Sequence, residues 1–214
     1  MEDGKVMIKV LYEDNHIIVV VKDYNIPVQE DSSKDEDMLT LIKKYLKEKY
    51  NKPGNVFLGL VHRLDRPVGG VMVFAKTSKA ASRLSNEIRL NKIEKRYIAL
   101  VHNHTKEKEV LKDKLLKDEK TNTSYVNDKG KESILEYNLI EYRGNKSLLD
   151  INLITGRHHQ IRVQLSHHGY PIYGDQKYGI DKEKIQIHLW AYKLKFKHPT
   201  KDEMMEFIYY PEFK

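Results

Sequence analysis

The sequence predicts an α+β domain with a mixed, largely antiparallel sheet flanked by helices. Short apolar, β-branched runs bounded by Gly, Pro, Asn or Asp recur along the chain, as buried strands do. Only a few segments place apolar residues at helical spacing. Many strands interspersed with few helices suit one such sheet better than a regular βαβ alternation. No internal repeat, low-complexity tract or linker interrupts the 214 residues, so a single domain over residues 1–214 is the simplest division.

The elements follow in order. Residues 8–13 and 16–23 are extended and β-branched, and Glu13-Asp14-Asn15 between them predicts a hairpin. Asp31-Ser32-Ser33 is a polar loop able to open a helix. From Asp37, Leu39, Ile42, Tyr45 and Leu46 recur at helical spacing until Asn51-Lys52-Pro53-Gly54 stops the run. Val56–Leu60 and Val71–Ala75 read as buried strands on either side of a charged loop. Ser78 suits the N-cap of a helix with Ala81, Leu84 and Ile88 on one stripe. Lys95–Val101 reads as another buried strand. Residues 104–132 carry nearly balanced charges of both signs, which predicts a solvated excursion or irregular arm. Strands near 134–142 and 147–154 join at Arg143-Gly144-Asn145. A helix over about 157–168 follows Thr155-Gly156 and is ended by Gly169 and Pro171. The last strands lie near 187–197 and 204–210.

Composition narrows the function. Apolar content of 40% and charged content of 32% describe a soluble globular chain, and no run approaches a membrane span. Met1-Glu2-Asp3-Gly4 leads into no secretory apolar region. The absence of cysteine excludes a disulfide framework and a thiolate metal site, and is compatible with a cytoplasmic location. A net charge of +7 favours an anionic partner, nucleic acid first among them. The 14 tyrosines exceed the 5 phenylalanines and 1 tryptophan together, and tyrosine suits half-wet surfaces such as those that stack an unpaired base.

The strongest chemical candidate is Asp65, in the loop Val61-His62-Arg63-Leu64-Asp65-Arg66-Pro67-Val68-Gly69-Gly70. A charged cluster pinned between two buried strands is expensive unless something needs it, although a surface ion pair at a strand end accounts for the same residues. A neighbouring guanidinium keeps an aspartate ionised at neutral pH. An ionised carboxylate is a nucleophile or a base, not a general acid, and suits chemistry at an anomeric carbon.

His62-Arg63-Leu64-Asp65-Arg66, followed by Gly70, closely resembles the signature loop of the RluA-type RNA pseudouridine synthases; Val68 and Gly69 stand where that family usually has Thr-Ser. Leu153-Ile154-Thr155-Gly156-Arg157-His158-His159-Gln160-Ile161-Arg162, running on into Gly169–Asp175 and Tyr178-Gly179, resembles a second motif of the same family. The resemblance extends over nearly the whole chain and implies the pseudouridine synthase fold. It implies isomerisation of a uridine in ribosomal or transfer RNA, with no cofactor and no metal. The chain begins directly at the region of resemblance, so no separate N-terminal RNA-binding domain is expected, and the expected state is a monomer with no membrane partner.

Carried over by position, Asp65 is the catalytic aspartate, acting by covalent addition or by assisting loss of the C2′ proton. Arg162 pairs with it, and Tyr97 stacks on the target uracil. Arg63 fills the RNA stack where the uridine was, and Arg66 and Arg157 contact RNA. The residues alone leave other readings open: Arg63 as a structural ion pair of Asp65, Tyr97 as a core tyrosine, Arg162 as a helix-surface arginine. His62 and Asp175 read as structural. The pairs His158-His159 and His167-His168 have neither the shared face nor the supporting ligands of a metal site. Lys92, Lys95, Arg96, Lys193, Lys195 and Lys197 either line an RNA path or are simply solvated. A catalytically inactive RNA-binding protein and an RNA N-glycosidic hydrolase are the rival functions.

Overall fold

The computed structural model describes residues 8–213. These are α+β, with eleven strands and three helices among them. The chain forms two compact units, Met1–Ile93 with Leu194–Tyr209, and Glu94–Lys193 with Tyr210–Lys214. The first boundary falls at the start of a strand and the second inside one, where no Pro, Gly or Ser cluster marks it.

In the first unit β1 (Lys9–Glu13) and β2 (Ile17–Lys22) form the expected hairpin, and β2 pairs antiparallel with β4 (Gly69–Ala75). Every residue of β2 and β4 is buried. Their continuous apolar character reflects a strand covered on both faces. The short β3 (Gly59–Leu60) pairs with the end of β4. It is shorter than the expected 56–60 because Phe57 points to solvent, 51% exposed. Helix α1 (Met38–Lys49) is capped by Asp37, whose carboxylate accepts the Thr40 N–H. It buries Met38, Leu41, Ile42 and Leu46, so Leu39 and Tyr45 lie at the edge of the stripe.

Helix α2 (Ser78–Arg89) begins one residue earlier than Ser78 as N-cap implies: the cap is Thr77, with Oγ1 accepting the Ala80 N–H at 3.2 Å. Ala80 and Leu84 pack into a core with Ile17, Val19, Val71, Val73, Leu194, Phe196 and Met205. Leu194 and Phe196 lie in β10 (Leu189–Lys197), and Met205 in β11 (Met204–Ile208), which pairs with β10.

In the second unit β5 (Glu94–His102), β9 (Lys146–Leu153), β8 (Lys131–Arg143), β6 (Lys108–Asp118) and β7 (Thr123–Val126) lie side by side in that order, each pair antiparallel. The β8–β9 hairpin closes on Gly144-Asn145, with Gly144 at φ +61° as a two-residue turn requires. Residues 104–132, expected to be irregular, instead supply β6, β7 and the start of β8. In β6 the buried positions are Leu111 and Leu115, so eleven mostly charged residues still make a regular strand. The turn before β8 needs Gly130, because a Cβ there would lie 2.4 Å from the Leu115 carbonyl carbon. Helix α3 (Gln160–His167) is shorter than the expected 157–168, because His159 adopts a left-handed conformation at φ +54°.

One buried carboxylate ties the first unit together. Glu13, whose side chain is 5% exposed, accepts from Lys76 Nζ at 2.6 Å, Lys49 Nζ at 2.7 Å and Tyr50 Oη at 2.8 Å. Burial pushes its pKa up, but these donors outweigh it and hold the group at about 2. Because that lies below the unfolded value near 4.5, the contribution is complete above pH 4.5 and is lost as pH falls toward 2. Glu13→Gln should therefore lower stability by about 2–3 kcal/mol at pH 7 and flatten the acid limb of a urea-denaturation series over that window.

Candidate active site

Asp65 lies in the loop, residues 61–68, that joins β3 to β4. The loop is shaped from below. Leu64 and Val68 are buried, the Val68 N–H donates to the Asp65 carbonyl at 3.0 Å, and His62 Nε2 accepts the Val73 N–H at 3.1 Å. Gly70, at φ +138°, enters β4 opposite Lys22 in β2, a conformation open to glycine. Lys22 is fully buried, and its ammonium donates to the carbonyls of Val68 at 2.6 Å, Arg66 at 2.9 Å and Asp23 at 3.1 Å.

Burial pulls the Lys22 pKa down to about 7, with Asp65 and Asp23 opposing that pull and Arg66 adding to it. Three acceptors around three N–H donors require the protonated form, since a neutral amine offers only two. Sequence reading missed this residue. The only signal was a lysine ending an otherwise apolar run, Ile17–Lys22.

The arginines beside Asp65 differ. Arg66 donates to Ser33 Oγ at 2.8 Å and pairs with Asp31 at 3.3 Å and with Asp35, tying residues 31–35 to the loop. Arg63 is exposed and makes no hydrogen bond or ion pair among the described residues, so it is not the structural partner of Asp65.

The second motif is anchored by buried amides. Thr155 Oγ1 accepts the Ile134 N–H at 2.8 Å and donates to Gln160 Oε1 at 2.9 Å. The same Gln160 oxygen accepts the Arg157 N–H at 2.9 Å, while Gln160 Nε2 donates to Ile134 O and Gln164 Oε1. Arg157 is exposed and its Nε–H donates to the Glu132 carbonyl at 2.9 Å.

Arg162 is buried, 5% exposed, and not on the helix surface. Its Nε–H and one terminal N–H donate to the two Asp175 oxygens at 2.8 and 2.7 Å, and its guanidinium carbon lies 5.2 Å from the centre of the Tyr178 ring. Burial raises the Asp175 pKa, but Arg162 and the N–H groups of Lys177 and Tyr178 prevail and keep it ionised. The turn reading of Asp175 is correct, yet it omits this carboxylate's second task of aiming Arg162.

His158 and His159 stack with ring centres 3.7 Å apart. His158 Nδ1 bonds Ser124 Oγ, and His159 Nδ1 bonds Tyr178 Oη at 2.7 Å. Among the described residues no group of three or more His, Asp or Glu side chains is placed to hold a metal. Tyr97 is 7% exposed, at the position in β5 where half-buried Glu94–Arg96 give way to a fully buried run.

The two motifs therefore sit on rigid supports, one carrying Asp65 and Arg63, the other Arg162 and Arg157. A family model described as RNA pseudouridylate synthase matches residues 16–167, which span both. The chain belongs to this RNA-modifying family. It is 36% identical over 205 residues to a ribosomal large subunit pseudouridine synthase C of Buchnera aphidicola subsp. Baizongia pistaciae, covering 90% of this chain and 63% of the relative. The protein of the same name from Vibrio parahaemolyticus is 31% identical over 208 residues, covering 92% of this chain and 64% of the relative. The chain thus spans less than two thirds of these relatives. In structure it resembles human RNA pseudouridylate synthase domain containing 4, with a TM-score of 0.80 and 22% identity over 96% of this chain and 89% of that one.

Two substitutions test the supports. Lys22→Met strands three carbonyls and should cost about 3 kcal/mol in urea denaturation, with faster hydrogen exchange at residues 64–68. Asp175→Asn weakens the two-point grip on a buried guanidinium and should cost about 3 kcal/mol in the same measurement, larger than any effect of Glu132→Gln on the surface.

Proposed function

We propose that this chain converts a uridine in large-subunit ribosomal RNA to pseudouridine. Asp65 is the reacting carboxylate, Arg162 the arginine that pairs with it, and Tyr97 the ring on which the uracil stacks. Membership of the family carries this reading, together with the intact charged half of the Asp65 motif. The names of the relatives point to the large subunit as the source of the RNA.

The reaction is an isomerisation. The N1–C1′ bond breaks, the base turns, and C5 joins C1′, with one proton leaving C5 and one arriving at N1. No electrons are gained or lost overall, so carboxylate, guanidinium and aromatic ring suffice as chemical tools. Taking a uridine out of its stack costs a few kcal/mol, least in loops and bulges. Arg63, exposed and uncommitted to any described residue, is suited to fill the vacated place, while Arg157 keeps N–H groups for phosphate.

Mapping pseudouridines in ribosomal and transfer RNA, with and without the gene, tests the proposal. A ribosomal uridine should lose its modification on deletion and regain it with the wild-type gene. Asp65→Asn should restore none of it, a loss of at least about 10³-fold. Modification surviving Asp65→Asn would refute the role of this aspartate. Free uracil and abasic RNA would show a hydrolase, and a lost site in transfer RNA alone would move the substrate.

A further inference from the structure

Of the six basic residues on or beside β5 and β10, five have a carboxylate partner. Lys92 has Glu87 at 3.9 Å, Lys193 has Glu94 at 3.3 Å, Lys195 has Glu206 at 3.7 Å, and Lys197 has Asp202 at 2.6 Å. Arg96 grips Asp150 through both Nε and a terminal nitrogen. Lys95 makes no hydrogen bond or ion pair with any described residue. It is nonetheless half-buried, and burial pulls its pKa below the usual lysine range. A partly shielded ammonium with no partner costs free energy, and no described residue offsets that cost.

Its position suggests what does. Lys95 and Tyr97 stand two residues apart on β5, so they project from one face about 6.7 Å apart along the strand. The Lys95 Nζ lies 3.3 Å from where a Cβ on Gly156 would stand. Glycine at 156 thus leaves room for the ammonium at an exposed turn, directly before the segment that carries Arg157 and Arg162.

We infer that Lys95 is a further catalytic residue, its ammonium hydrogen-bonding a uracil carbonyl oxygen as the base leaves C1′. This rests on the reading of Tyr97 as the ring under that base. When N1–C1′ breaks, its electron pair stays on the base, and the resulting uracil anion shares its charge between N1 and the two carbonyl oxygens. C1′ is satisfied by the Asp65 carboxylate or by loss of the C2′ proton. After the turn, C5–C1′ forms as the C1′–carboxylate bond breaks or as the C2′ proton is returned, and the C5 proton is released as N1 takes one up. A cation beside the base in a water-poor setting favours the charged intermediate over neutral bound uridine, which is the differential stabilisation a catalyst needs.

The test separates rate from binding on an RNA fragment containing the uridine mapped above. Lys95→Met should lower the single-turnover rate at saturating RNA by about 10²-fold, with affinity changed less than about threefold. Lys95→Arg should recover much of the rate, and Lys95→Met should melt no lower than wild type. A methionine variant with an unchanged rate overturns the inference. So does one with weaker RNA affinity and a normal saturated rate, the sign of a phosphate contact. If Lys95→Met does not fold, Lys95→Gln is read by the same criteria. Asp65→Asn run in parallel keeps the failures distinct: an active Asp65→Asn sinks the assigned site, whereas an inactive one beside an active Lys95→Met sinks only the role of Lys95.

Discussion

An ammonium buried under a loop is the constraint on which the first motif depends. Lys22 has no access to water, so its charge is tolerable only while three backbone carbonyls accept its three protons. Two of those carbonyls, of Arg66 and Val68, belong to the segment immediately after Asp65. The requirement works in both directions: the lysine needs the loop in one shape, and the loop has one shape because the lysine is there. A carboxylate held in this way is positioned before any ligand arrives, which lowers the reorganisation that chemistry at it would otherwise require.

The second motif follows the same logic with other groups. Gln160 uses both ends of its amide, closing the Thr155–Arg157 turn from inside the fold. Asp175 receives Arg162 in a two-point grip that fixes the plane of the guanidinium as well as its position. Tyr178 lies under that guanidinium and also bonds His159, so the paired histidines serve as supports within a network of hydrogen bonds. Each of these side chains is costly when unsatisfied, and each is satisfied by a neighbour within the same unit.

The net charge of +7 is a poor map of where RNA would lie. Most strand-borne cations are matched by nearby carboxylates, and Arg66 is engaged by Asp31 and Asp35. Arg63 and Lys95, which have no such match, tell more than the total does. Paired surface charges contribute little to stability and are screened by salt, while an unmatched charge near a proposed site retains its full pull on an anion.

The sequence by itself determined the α+β class, the main strands and helices, the family, and the two motifs that carry Asp65 and Arg162. These depend on local pattern and on residues close together in the chain, so they can be read in one dimension. It misjudged residues 104–132, because Leu111 and Leu115 are too few to show through so much charge, although two buried positions suffice once β8 lies alongside. Only the tertiary structure decided that Lys22 supports the Asp65 loop from 44 residues away, that Asp175 aims Arg162, and that Lys95 lacks the partner its neighbours have. Those outcomes turn on whether a buried charge meets its complement, and that is a property of distances in space, which the order of residues does not contain.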